Sequence, residues 1–189
     1  NTFGATRLKL EHYGLGDRVV ELNTAAVRIA KEAAGDNAKV VGGMGPTGRF
    51  IKPLGDLDFE EAYDNFAEQA KALAEAGADY ILIETHIDMQ ETRAALLAAK
   101  SVTNLPVICQ LSYSEDGRTV TGTDPQTAAI TLDALGADII GINCSLGPEQ
   151  LVPIVKILAE NTDKPISVQP NAGLPLLVDG KTIFPMGPE

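Results

Sequence analysis

Short runs rich in Val and Ile alternate with longer stretches rich in Ala, Glu and Lys along almost the whole chain, which restricts the fold to repeated βαβ units. Strands are expected over 39–43, 80–85, 106–113, 138–144 and 165–171, at intervals of about 25 to 40 residues, the room a strand and its crossover helix need. Helices are expected between them, over 19–34, 59–76, 89–101, 126–135 and 149–161. Each places apolar residues three and four apart, as with Phe66, Ala70, Leu73 and Ala74. The punctuation agrees. Gly77 and Gly136 each end a helix before an apolar run, and Thr123-Asp124-Pro125 and Ser145-Leu146-Gly147-Pro148-Glu149 read as helix starts.

An open doubly wound sheet and a (β/α)8 barrel both satisfy this order. Polar residues inside the strands favour the barrel. Ser167, Gln169 and Asn171 share one face of their strand, and Gln110 and Ser112 share one face of theirs. A sheet covered on both sides would read as nearly continuous Val, Ile and Leu. Polar groups gathered toward successive strand C-termini are what a barrel mouth is built from. A whole barrel takes about 250 residues, so a chain of 189 is expected to hold an incomplete one, in a single domain spanning 1–189.

Composition narrows the partners. With 44% hydrophobic and 22% charged residues the chain can bury a real core. A net charge of -11 repels phosphate backbones and anionic lipid, so neither nucleic acid nor membrane is an expected partner. No apolar run approaches the roughly 20 residues that span a bilayer. Two cysteines form no disulfide framework, which makes a reducing cytoplasm the expected compartment.

The candidate site residues sit at the strand ends. Glu84 closes the apolar run Ile81-Leu82-Ile83, where a carboxylate is poorly solvated unless a cation, a donor or a substrate ammonium meets it. Amides of neighbouring loops would also satisfy it. Asn143 and Asn171 each suit a turn cap taken singly. With Cys144, Gln110 and Gln169 they make a polar cluster at one end of the sheet. Cys144 taken alone reads as a small buried hydrophobe, as does Cys109 in mid-strand. His86 is the one residue near Glu84 that could join Cys144 in a mixed metal site, and His12 reads as a surface residue. The stretch 42–48 is rich in Gly without the ending of a P-loop, and reads as a flexible loop that lets backbone approach a ligand.

Taken together, Asn1-Thr2-Phe3-Gly4-Ala5, Gly45-Pro46-Thr47-Gly48, Ile83-Glu84-Thr85, Thr121-Gly122-Thr123-Asp124-Pro125, Gly141-Ile142-Asn143-Cys144-Ser145-Leu146-Gly147-Pro148 and Gln169-Pro170-Asn171-Ala172-Gly173 resemble, in order, the barrel motifs of the homocysteine S-methyltransferase family. They are most like the homocysteine-binding domain of its cobalamin-dependent methionine synthases. The resemblance implies a (β/α)8 barrel represented by about strands two to seven of eight, with Asn1-Thr2-Phe3 at the end of the second. It implies a zinc ion held by three cysteines, of which only Cys144 has a counterpart here. Homocysteine would be the substrate, with Glu84 on its ammonium, Asn171 near the zinc, and Thr2 and Asn143 in the mouth. Gln110, Gln169 and Thr123 receive no role. The methyl group would come from cobalamin carried on another module, and the isolated chain is expected to bind zinc weakly and to lack methyl transfer.

Two other readings stay open. One is a different barrel enzyme, such as a pterin-binding protein. An aldolase would need a strand-end Lys for a Schiff base, and no strand offers one. The other is a non-catalytic barrel fragment. In any of these the unpaired strand edges invite dimerisation.

Overall fold

A computed structural model describes residues 1–187. The chain begins with a short helix, α1 (Arg7–Glu11), then a single 3-10 turn and α2 (Val19–Ala34). Four strand–helix steps and a fifth strand follow. They are β1 (Val41–Met44), α3 (Phe59–Glu75), β2 (Tyr80–His86), α4 (Met89–Val102), β3 (Val107–Leu111), α5 (Pro125–Ala134), β4 (Ile139–Asn143), α6 (Pro148–Glu160) and β5 (Ile166–Gln169). A hairpin of β6 (Leu176–Val178) and β7 (Lys181–Ile183) follows β5. The five larger strands form one parallel sheet in sequence order, the arrangement that successive βαβ steps produce.

Helix boundaries follow local chemistry. Asp124 caps α5 by accepting the Thr127 N–H at 2.9 Å, with Pro125 in the first turn. Asp88 caps α4 through the Gln90 N–H. Gly77 and Gly136 leave α3 and α5 at φ of 97° and 89°. The core lies between the sheet and its helices. Ile81, Ile83, Val107, Cys109, Leu111, Ile140 and Ile142 turn their side chains toward Phe66, Leu73, Ala95 and Leu132, all fully buried. Seven such strand residues correspond to about 10–20 kcal/mol of transfer free energy before chain entropy is counted. On the opposite face Leu82, Ile108, Ile139 and Ser167 are only half-buried, whereas Gln110 and Asn143 are buried.

Two expectations need correction. Asn1-Thr2-Phe3 forms no strand ladder; it lies beside β1, where Phe3 C=O accepts the Gly45 N–H at 2.9 Å, so the sheet has five strands and not six. The stretch 42–48 is not a flexible loop. Gly42 and Gly43 belong to β1, and Thr47 is buried with both its N–H and its hydroxyl donating to Glu91 Oε1, at 2.7 and 2.6 Å.

Candidate active site at the strand ends

Glu84 and Thr85 owe their position to a break in the β2–β3 ladder. Ile83 stands opposite Cys109 and His86 opposite Leu111, so Glu84 and Thr85 together face Gln110 alone. Such a bulge inserts one residue into a strand and re-aims its side chains. Thr85 takes φ of 62°. A β-branched residue there is strained, on the order of 1–3 kcal/mol, and persists only where surrounding contacts fix it.

The Glu84 carboxylate lies over Gly43 of β1. A β-carbon at Gly43 would take the space of Glu84 Oε1 and come within 3.8 Å of Thr2 Oγ1, so a side chain there would displace the carboxylate. Thr2 in turn donates its hydroxyl to Gly43 C=O at 2.8 Å. Thr2 and Glu84 therefore share one cleft of about 160 Å³, with Asn1, Val41 and Leu82 in its wall. Glu84 is half-buried, and among the described residues no donor or cation reaches it. Desolvation raises its pKa with nothing opposing it.

The second group gathers at the ends of β2, β3, β4 and β5. Asn143 Oδ1 accepts the Thr85 N–H at 2.8 Å, and Asn143 Nδ2 donates to Thr85 Oγ1 at 2.8 Å. The same amide nitrogen lies 3.4 Å from Cys144 Sγ, and Thr85 Oγ1 lies 3.8 Å from it. Ser112 donates to Asn143 C=O at 2.8 Å, and the Cys144 N–H donates to Gln169 C=O at 3.0 Å. Cys144 and Ser145 both take φ of 60°. Asn171 is tied in through its own N–H, which donates to Leu146 C=O at 3.0 Å, and its side chain joins none of these contacts. Gln169 is exposed at the rim.

Below this ring, Gln110 is fully buried and donates from Nε2 to Ser167 Oγ at 2.8 Å. It crosses Gly141, which lies in register with both residues. The polar period-two face read from the sequence is thus the inner face of the sheet. Gln110 Oε1 meets no partner among the described residues.

His86 does not accompany Cys144. The bulge turns it to the helix side of the sheet, where it is fully buried and its ring stacks at a tilt on Phe66 with centroids 5.6 Å apart. Burial lowers its pKa to about 4, and the nearby Met44 and Gly45 carbonyls offset this only in part. His12 caps α1 and is exposed, as expected. Cys109 is fully buried and its thiol pKa is pushed well up by desolvation, which makes it inert. Cys144, by contrast, is partly exposed. A closed zinc site takes four ligands. Among the described residues no three His, Cys, Asp or Glu side chains come together, so these residues alone do not close such a site.

Sequence reading singled out Cys144, Asn143 and Glu84 and missed Thr85, which links them. Its signals were its place directly after a strand-end carboxylate and within the Ile83-Glu84-Thr85 motif, neither of which gave it a role.

The sequence pattern of one family, described as homocysteine S-methyltransferase, matches residues 1–189. Methionine synthase of Mycobacterium tuberculosis is 30% identical over 200 residues, which cover 100% of this chain and 17% of that protein. Methionine synthase of Mycobacterium leprae is also 30% identical, with 16% of its length covered. The chain thus spans about a sixth of these relatives. Among solved structures, the metallated form of the homocysteine methyltransferase MmuM from Escherichia coli superposes with a TM-score of 0.77 at 22% identity, covering 91% of this chain and 65% of that one.

Proposed function

The chain belongs to the homocysteine S-methyltransferase family, and from that premise we propose that its strand-end cluster is the homocysteine-binding side of a methyl-transfer site. Homocysteine carries an ammonium at one end and a thiol at the other. The observation that carries the reading is the matching pair of features in the cluster. Glu84 is a half-buried carboxylate that meets no counterion among the described residues, and one residue further on Thr85 touches the partly exposed thiol of Cys144. Glu84 takes the ammonium, and Thr2, Asn143 and Asn171 line the approach. In the transfer, the homocysteine sulfur loses its proton and forms a bond to the methyl carbon as that carbon leaves its donor.

We assign Cys144 as one ligand of a zinc ion whose remaining ligands lie outside the described residues. Zinc, when bound, holds the substrate sulfur as a thiolate, whereas a free thiol with a pKa near 8.5 is mostly protonated at neutral pH. The donor we propose is methylcobalamin on a separate module, in keeping with the 30% identity to methionine synthases. A cytoplasmic location fits the two unpaired cysteines.

Calorimetry with homocysteine and with a folate tests the reading. Homocysteine should bind, and Glu84→Gln should weaken it by tenfold or more. Binding of the folate alone would instead favour a pterin barrel.

A further inference from the structure

Thr85 holds a backbone conformation that a β-branched side chain avoids, and the contacts that hold it there are the same contacts that reach the thiol. Asn143 engages Thr85 twice, through its backbone N–H and its hydroxyl, each at 2.8 Å. These two residues come from β2 and β4, with β3 between them, so the pair bridges over a strand. The hydroxyl of Ser112, the residue after β3, donates to the Asn143 carbonyl. Both polar groups then converge on one sulfur, Asn143 Nδ2 at 3.4 Å and Thr85 Oγ1 at 3.8 Å. Neither contact is needed to cap a helix or complete the ladder.

We propose that Thr85 is a positioning residue. With Asn143 it forms a clamp across the strand ends that holds the Cys144 side chain in a single rotamer, and the left-handed Thr85 backbone is the conformation this clamp sustains. The inference deepens the reading of Cys144 as a metal ligand and rests on it for its purpose. A ligand held in one orientation before the metal arrives loses less freedom on binding, and partners that orient a metal ligand commonly contribute ten- to a hundredfold in affinity.

The chain carries its own control. Cys109 is fully buried in the helix-facing core, away from the clamp, so labelling cysteine alone gives one probe at the site and one outside it. In the metal-free 189-residue chain, Hα–Hβ couplings should show one χ1 rotamer for Cys144. Thr85→Val keeps the shape and removes the hydroxyl; it should give rotamer-averaged couplings at Cys144 with those of Cys109 unchanged. Thr85→Ser should restore the single rotamer. A Thr85→Val chain that keeps the wild-type Cys144 couplings overturns the clamp, as does averaging that appears equally at Cys109. Should Thr85→Val fail to fold, Thr85→Ala is measured in its place, and the same couplings support or overturn the clamp.

Titration with zinc(II) separates this inference from the reading beneath it. Movement of the Cys144 Cβ resonance tests the ligand assignment alone, whereas about a tenfold weaker zinc response in Thr85→Val is what the clamp predicts. Equal zinc response in wild type and Thr85→Val would count against it.

Discussion

At the scale of single residues, Glu84 concentrates the consequences. Its folded pKa lies above the unfolded one because burial penalises the charge, so the ionised carboxylate opposes folding above that pKa and is relieved as pH falls through it. Glu84→Gln should therefore raise the unfolding midpoint at pH 7.5 and lose that gain in acid, even as it weakens homocysteine binding. Denaturant melts beside calorimetry check the two opposite signs, and a variant that loses both stability and binding would mark Glu84 as a structural residue. Gly43→Ala should weaken homocysteine binding without touching a charge, since its methyl group takes the space of Glu84 Oε1. Glu84 was legible in the sequence because a carboxylate closing an apolar run has few places to go. Thr85 was not, because its role depends on Asn143, 58 positions away, and on a backbone angle no pattern announces.

At the scale of elements, β2 and α4 carry two buried titrating groups of opposite sign. His86 is held neutral, its pKa lowered to about 4, so the unfolded chain binds more protons below pH 6.5. Stability should decline between about pH 6.5 and 4, by up to about 3 kcal/mol. Glu91, raised to about 6 chiefly by burial, works the other way: its ionisation costs stability as pH rises from about 4.5 to 6, by about 2 kcal/mol. His86→Leu should flatten the acid limb of a stability–pH profile. Glu91→Gln should stabilise at pH 7.5 and be neutral near pH 4.5, keeping an acceptor for Thr47. The helices themselves were readable to within a residue or so, because Asp124-Pro125 and the apolar spacing act locally. The β6–β7 hairpin went unread although its signal was present: Asp179 and Gly180 form a two-residue turn, both with positive φ. α1, five residues long, is too short to show a period.

At the scale of the whole molecule, the parallel sheet ends in β1 and β5. The β1 edge is partly covered by residues 1–5 through Phe3 and Thr2. The β5 edge is more open: Val168 is 39% exposed and lies beside an apolar groove with Leu151, Val155 and Pro170. Sedimentation should show concentration-dependent self-association of the 189-residue chain, and Val168→Lys should abolish it, since a charge on an edge blocks strand pairing. The barrel-like class was legible from the inner polar face that Gln110 and Ser167 now occupy, and the five strands of the sheet from the alternation, whereas the sixth strand implied by the resemblance is absent among the described residues because residues 1–3 carry a strand-end motif without a ladder. The bulge in β2 works like a reading frame. Before it, odd-numbered residues of the strand face the helices; after it, His86 does, so one inserted position decides which letters are read into the mouth. Point substitutions cannot shift a frame. Grafting this site onto an unbulged strand would therefore take an insertion, and deleting Thr85 would leave His86 opposite Leu111 in the core while removing the one residue that reaches Asn143 and Cys144.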